Sequence, residues 1–396
     1  MLISDFFTEL SHSQKYKEGQ IVSGDTFISR RSDTDNRIIS VLSDGLGSGI
    51  KASVLSTLTA SMALNYAVKD RDLIKAASTI MDTLPVDTET KISYSTFTIV
   101  EIDYQGHCMI LNYDNPQFIL MRNSEIIQVK QHIIAGTNAQ NRRYELAVSE
   151  FDMIEGDRLI FFSDGVSQSG MGSSKYPFGW GIENIKEYLK FLYSKDSSIS
   201  ARKMSYRIVD HALTNFEYSA KDDITCAVVY IRKPRKLLIV SGASIDQSKD
   251  GIMAQRLTVF QGKTAICGGT TAKIMARELQ RDVHMDIRSI DPEIPCYSEM
   301  KGITLVTEGM ITLAKTLEIL ENNCPHQEML KNNGAVKLTQ LIMDSDHIEF
   351  LIGTKINEVH QDPNLPIELG IRRNTAKSLA SILDNTYLKK AVVNYI

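Results

Sequence analysis

The chain has 396 residues, 43% of them hydrophobic and 23% charged, the balance of an ordinary globular protein rather than a disordered or fibrous one, and its length suits two domains. A formal charge of -4 lacks the clustered basic surface that nucleic acid demands, and no stretch approaches a membrane-spanning run of apolar residues, so neither partner is expected. Five cysteines, an odd number with no CxxC pair, fit a reducing cytoplasm, and the first residues lack the basic-then-apolar pattern of a secretory signal.

In chain order, 20-QIVSGDTFIS-29 carries Asp25 directly after a glycine, and 39-ISVLSDGLGSGIKAS-53 places Asp44 and Gly45 behind an apolar run. Over residues 50–67 apolar side chains at Ile50, Val54, Leu58, Met62 and Ala63 recur with helical period among small residues, which predicts a buried helix lying close against a sheet. Residues 93–131 are rich in β-branched and aromatic side chains and are broken at Gln105-Gly106, Asp114-Asn115-Pro116 and Asn123-Ser124, which predicts a meander of antiparallel strands. The Gly156-Asp157 turn introduces a strand at 158-RLIFFSDGV-166, residues 181–216 carry helical patterning, and 223-DITCAVVYIR-232 reads as a closing strand. Strands, helix, strands, helices and strand, in that order, predict sheets flanked by helices rather than alternating βαβ units.

The tract 232-RKPRK-236 puts a proline among four cations and marks the expected boundary between domains 1–235 and 236–396. Beyond it, short apolar runs at 237–243, 263–269, 283–288, 302–309 and 348–354 are interleaved with helical runs at 271–280, 310–323 and 335–344, the pattern of a small α/β domain. There, 266-ICGGTTAKIMAREL-279 leads a strand through two glycines and two threonines into a helix, letters that suit an anion at free N–H groups and equally an ordinary helix start. Cys267 reads as a small buried apolar residue, and 352–373, with His360 and Asp362, as a long solvated loop.

Asp25, Asp44, Asp164 and Asp222 each stand at the edge of an apolar strand, where an unpaired carboxylate is costly, and no basic residue is patterned to match all four. Hard divalent cations prefer carboxylates, backbone carbonyls and water, so four aspartates and a carbonyl can hold two such ions. Gly45 leaves its carbonyl unobstructed and readily takes strained backbone angles. A single Ser-Asp-Gly is usually a plain turn; two of them after similar strands, with Gly-Asp upstream and Asp-Asp downstream, favour a site. Neither nucleotide cradle is complete: Ile50 stands where G-x-G-x-x-G needs a glycine, and Leu257 where a P-loop ending in 262-GKT-264 needs one.

Residues from about Gly24 to Ile231 resemble the metal-dependent Ser/Thr protein phosphatases of the PPM family, in particular its SpoIIE-like (stage II sporulation protein E) branch, through SGDTF, SDGLGSGIKAS, NYDNPQFIL, GDRLIFFSDGV and KDDITCAVV. The resemblance implies an α+β fold, an α-β-β-α sandwich of two mainly antiparallel sheets flanked by helices, here followed by a smaller α/β domain. It also implies a centre of two Mn²⁺ or Mg²⁺ ions bridged by Asp44, with the Gly45 carbonyl on one ion, Asp164 and Asp222 on the other, and Asp25 supporting the Gly45 side through water. Asp223 takes over if Asp222 points away. Asp44, Asp164 and Asp222 are then the catalytic residues, and a water ionised between the cations attacks a phosphoserine or phosphothreonine. The implied substrate is a phosphorylated protein, an anti-sigma-factor antagonist by analogy with the family, in bacterial partner-switching signalling. No arginine can be assigned to the substrate phosphate, although Arg30 and Arg31 lie just beyond Asp25. Because the phosphatase-like part begins almost at Met1, regulation is expected from the C-terminal domain or a separate partner. A binding module on the same fold and a hydrolase of small phosphoesters are the rival readings, and the oligomeric state stays open.

Overall fold

A strand buried on both faces is apolar along most of its length, and 224-ITCAVVYIR-232, buried at every position, is the strand of this kind around which the first unit is built. The computed structural model describes residues 6–396 except 33–34, 70–71, 84–94, 140, 245, 290 and 355–364, and the chain divides into two compact units, Met1–Lys233 and Pro234–Ile396.

The first unit contains β1 (Phe7–Lys15), β2 (Asp25–Arg31), β3 (Ile38–Gly45), α1 (Gly49–Lys69), α2 (Leu73–Thr83), β4 (Ser95–Ile102), β5 (His107–Tyr113), β6 (Ile119–Arg122), β7 (Glu125–Ile127), β8 (His132–Thr137) and β9 (Arg143–Asp152). It continues with β10 (Asp157–Phe162), α3 (Asp164–Ser167), α4 (Gly181–Lys195), α5 (Ala201–Asn215) and β11 (Ile224–Arg232). One sheet runs β1-β11-β10-β6-β7 and the other β2-β3-β4-β5-β9-β8, every neighbouring pair antiparallel. The period of two along each strand sorts the side chains between layers. On β11, Ala227, Val229 and Ile231 meet Leu42, Val100 and Ile110 of the other sheet, while Cys226, Val228 and Tyr230 meet Ile185, Leu189 and Ile208 of α4 and α5. Helices α1 and α2 cover the outer face of the six-stranded sheet, Ala60, Ala63 and Ile80 packing on Ile39, Val41 and Phe97. The result is an α-β-β-α sandwich.

Two expectations are corrected here. In α1 the large apolar side chains do not form the packing face: Ile50, Val54 and Leu58 are 66%, 60% and 47% exposed, and the buried stripe is Ala52, Ser56, Thr59, Ala60, Ala63, Leu64 and Ala67. The helix lies too near the sheet for branched residues at its first turns, because the Ala52 carbonyl oxygen would sit only 2.2 Å from a Cβ on Gly45. The single meander expected over 93–131 is two hairpins in two sheets, β4-β5 in the six-stranded and β6-β7 in the five-stranded.

Between them the chain changes sheet at Asp114-Asn115-Pro116. Asp114 takes a left-handed φ of 57°, and the buried Asn115 amide donates to Thr98 Oγ1 at 3.0 Å and accepts from Thr96 Oγ1 at 2.5 Å. Asn115→Ala leaves these hydroxyls with fewer partners and is expected to cost about 2 kcal/mol, read as the drop in unfolding free energy in urea. An unchanged value would mean that the corner is held by its backbone alone.

His12 on β1 stacks on Phe27 with ring centroids 4.4 Å apart, and burial lowers its pKa to about 4. A group buried neutral contributes stability that is complete above the unfolded-state pKa, near 6.5, and is lost as pH falls toward 4. Between pH 8 and pH 5 this amounts to about 2 kcal/mol. His12→Gln should therefore lose that much less stability than the parent over the same interval; parallel pH profiles would exclude this role.

The second unit contains β12 (Lys236–Ser241), α6 (Asp250–Val259), β13 (Lys263–Cys267), α7 (Gly269–Leu279), β14 (Val283–Met285), β15 (Ser298–Met300) and β16 (Ile303–Thr307). After these come α8 (Met310–Glu321), α9 (His326–Met329), α10 (Gly334–Met343), β17 (His347–Ile352), α11 (Leu365–Asn385) and β18 (Lys390–Tyr395). Its seven strands run β14-β15-β16-β13-β12-β17-β18 with helices on both faces. Of the loop expected over 352–373, residues from Leu365 onward belong to α11, and His360 and Asp362 lie outside the described residues. Among the described residues no helix is long and apolar enough to cross a membrane.

Candidate metal centre

The six-stranded sheet supplies two carboxylates from neighbouring strands. Asp25 opens β2 directly opposite Asp44 near the end of β3, so both side chains leave the same face of the sheet. The five-stranded sheet supplies the other two. Asp164 starts α3 immediately beyond β10, and Asp222 lies two residues before β11, the antiparallel neighbour of β10. Ser163 clamps these ends together, its N–H donating to the Thr225 carbonyl at 3.0 Å and its hydroxyl accepting from the Thr225 N–H at 3.1 Å. The Thr225 hydroxyl then reaches across to the other sheet and donates to Asp25 Oδ2 at 2.6 Å.

The glycines of the two Ser-Asp-Gly segments serve close backbone approach. A Cβ on Gly165 would lie 2.1 Å from the Asp223 carbonyl oxygen, just as one on Gly45 would strike Ala52. Gly45 itself needs no strained φ, contrary to expectation; in this loop the left-handed values belong to Gly47 at 100° and Gly49 at 71°.

Burial first, and then mutual repulsion, raise the carboxyl pKa values across the cluster. Asp44 is raised most, by desolvation and then by the charges of Asp25, Asp164 and Asp222. Burial raises Asp25 against the hydrogen bonds from Thr225 and Ser163, with Asp223 and Asp222 adding repulsion. Asp222 is raised by burial and the Asp164 charge, and Asp164 by burial, opposed by hydrogen bonds with the Asp44 carboxyl and the Gly165 N–H. Four carboxyls whose charged forms burial disfavours form a donor set that divalent cations would ionise.

Asp25 Oδ1 is buried with no hydrogen-bond partner, an acceptor held ready for something the protein does not supply. Asp25, Asp44, Asp164, Asp222 and the carbonyl of Gly45 are the groups that fit two hard cations. Among the described residues no three side chains close into a ready-made cage.

Asp223 has a different task. It accepts from the Lys17 N–H at 3.0 Å, the Ser23 hydroxyl at 3.2 Å and the Gly24 N–H at 2.8 Å, and so fixes the turn that presents Asp25. Asp222 accepts only the Asp223 N–H, at 2.9 Å, among the described contacts and faces the cluster. Sequence reasoning did not single out Thr225, Lys17 or Gln168. The Gln168 amide donates to Asp164 Oδ2 at 2.9 Å. The signals available were a hydroxyl in an otherwise apolar strand and a glutamine four residues after Asp164, one helical turn on. Arg30 and Arg31 stand opposite Ile39 and Ile38, at least five residues up the ladder from Asp25, about 17 Å away.

The family model for stage II sporulation protein E (SpoIIE) matches residues 34–232. Among solved structures, the chain is similar to the PP2C phosphatase domain with a fragment of the regulatory domain of the cell fate determinant SpoIIE from Bacillus subtilis, at 21% identity and a TM-score of 0.46 over 57% of this chain. It spans 62% of the length of that structure. It is also similar to RsbU and RsbW domains from Mycobacterium tuberculosis, at 14% identity and a TM-score of 0.45 over 63% of this chain and 67% of that one. RsbX in complex with magnesium matches at 20% identity and a TM-score of 0.40, over 57% and 95% of the two chains. No curated protein sequence matches the chain.

Proposed function

The chain belongs to the SpoIIE family, and from that premise we propose that its first unit is a metal-dependent protein phosphatase acting on phosphoserine or phosphothreonine. The observation that carries the reading is the convergence of Asp25 and Asp44 from one sheet with Asp164 and Asp222 from the other, around a buried carboxylate oxygen with no protein partner. Asp25, Asp44, Asp164, Asp222 and the Gly45 carbonyl are the groups that would hold the ions. When bound, two Mn²⁺ or Mg²⁺ ions supply an ionised water and neutralise charge on the phosphoryl group.

The chain's own contribution is positioning. Thr225 orients Asp25, Gln168 orients Asp164, and Asp223 fixes the Gly24-Asp25 turn by accepting backbone and side-chain donors. Raised carboxyl pKa values mean that cation binding releases protons, so metal affinity should strengthen as pH rises. The substrate is a phosphoprotein in a partner-switching pathway, with a phosphorylated anti-sigma-factor antagonist as the family's suggestion. All five cysteines are unpaired, in keeping with a reducing cytoplasm.

The test is phosphate release from a phosphoserine-bearing protein, first with a chelator and then with Mn²⁺ or Mg²⁺ restored. Activity is expected only in the second condition. Release that survives chelation removes the metal mechanism, and metal-dependent release from nucleotides but not from phosphoproteins transfers the site to small phosphoesters.

A further inference from the structure

The second unit carries a binding edge of its own. Its strands β16, β13, β12, β17 and β18 are adjacent in that order and all parallel, a 3-2-1-4-5 arrangement. Helices α6 and α7 pack on one face against Leu238, Val240 and Ile266, while α8, α10 and α11 pack on the other against Leu237, Ile239 and Phe350. The winding therefore reverses between β12 and β17. In doubly wound sheets a crevice opens at such a reversal, outside the carboxyl ends of the strands, and ligands bind there.

Here the crevice is furnished. β12 and β17 run directly into Gly242 and Gly353, and the two chain segments pass so closely that a Cβ on Gly353 would lie 2.2 Å from the Ala243 carbonyl oxygen. A Cβ on Gly242, which has a φ of 87°, would lie 2.8 Å from Arg372 Nη1, so the guanidinium from α11 stands over this junction. Next to it, α7 and α8 start through Gly268 and Gly309 with no side-chain cap on either, and a Cβ on Gly309 would lie 3.2 Å from the Gly268 α-carbon. Two sets of helix N–H groups thus adjoin.

An independent observation points to a missing partner. The hydroxyls of Ser241 (1% exposed), Ser244 (1%) and Thr312 (0%) are buried with no hydrogen-bond partner in the protein, and so is Glu308 Oε2, two residues before α8. Buried polar groups are normally satisfied, and four orphans along one edge call for a polar ligand.

The chemistry selects its class. Arg372 and the helix starts favour an anion, whereas Glu308 repels one and requires hydroxyl or amino donors. The ends of β16 and β17 are three strand spacings apart, about 14 Å, more than a phosphate spans. We propose that this edge binds a nucleotide, with its phosphate toward Arg372 and Gly242 and its ribose hydroxyls toward Glu308. The loop 242-GAS-244 keeps only the first glycine of G-x-G-x-x-G, so arginine and hydroxyl groups take the place of a glycine-rich turn.

The experiment is calorimetric titration of the full chain, with chelator present to keep the aspartate cluster free of cations. The probes are adenosine, guanosine, cytidine and uridine monophosphates, ribose 5-phosphate and inorganic phosphate. At least one nucleotide should bind saturably and more tightly than inorganic phosphate. Arg372→Gln should weaken it about tenfold or more. Glu308→Gln should weaken the nucleotide and ribose 5-phosphate while leaving inorganic phosphate unchanged. Parent-like circular dichroism and urea melts show that the variants fold. No saturable nucleotide binding, binding no tighter than phosphate, or indifference to Arg372→Gln would overturn the proposal.

Discussion

Asp44→Asn is expected to abolish phosphate release, by about a thousandfold or more, while leaving the fold as stable as before or more so. The loss follows from position: Asp44 is the carboxylate that faces Asp25 across the ladder and feels both Asp164 and Asp222. On the proposed reading, removing it would separate the two halves of the donor set, and the several kcal/mol that bound cations would contribute to stabilising the transition state would go with it. The gain or neutrality in stability follows from the same crowding. Asparagine is nearly isosteric and carries no charge to be desolvated among three other acids. Two measurements separate these effects: activity at saturating Mn²⁺, and the midpoint of thermal unfolding with and without Mn²⁺. The parent should gain stability from the ion and the variant should not. Full activity in the variant, or an equal metal-induced shift, would falsify the bridging role.

Gly165→Ala should be strongly disruptive. The added methyl would meet the Asp223 carbonyl oxygen at 2.1 Å, and the obstacle is backbone, which cannot swing aside as a side chain does. The α3 start and the β11 start must part, at an expected cost of about 3 kcal/mol, and Asp164 moves away from Asp222 as they do. Gly370→Ala is the matched control. That glycine lies within α11 with nothing within 4 Å of a Cβ, so alanine there should stabilise by up to about 1 kcal/mol. Urea melts of the two variants should move in opposite directions. A Gly165→Ala chain with the parent's midpoint would show that the close approach is not structural.

Much of this was legible from the letters because the site is built from short local patterns. Two Ser-Asp-Gly segments, a Gly-Asp and an Asp-Asp mark the ends of apolar strands, and pairing those strands within each sheet and stacking the two sheets gathers the carboxylates. What was not legible depends on partners distant in sequence. Helix α1 has two stripes of suitable period, and hydrophobicity favours Ile50, Val54 and Leu58; only the nearness of Gly45 makes the small stripe through Ala52 and Ala63 the one that packs. At Asp114-Asn115-Pro116 a turn could be read, but not that it carries the chain into a different sheet, since both hairpins have the same local texture. The polar letters of 7-FTELSHSQK-15 gave no period to recognise β1, whose outer partners are Ser205 and α5. Helix α11 was hidden by the glycine and polar residues of its first turns, although Ala376, Leu379 and Leu383 bury as a helical stripe.

The pairing of β1 with β11, Phe7 opposite Arg232 and Lys15 opposite Ile224, joins the two ends of the first unit. During synthesis the six-stranded sheet can assemble once residue 152 has emerged, because all its strands lie between Asp25 and Asp152. β1 has no such early opportunity. It is made before all of them and stays unpaired until its distant neighbour is made, which gives the unit a high contact order and a slow closing step. Nascent chains on one messenger are therefore exposed to cross-pairing through this strand, and the polar residues and lysine of 11-SHSQK-15 oppose it while the strand waits.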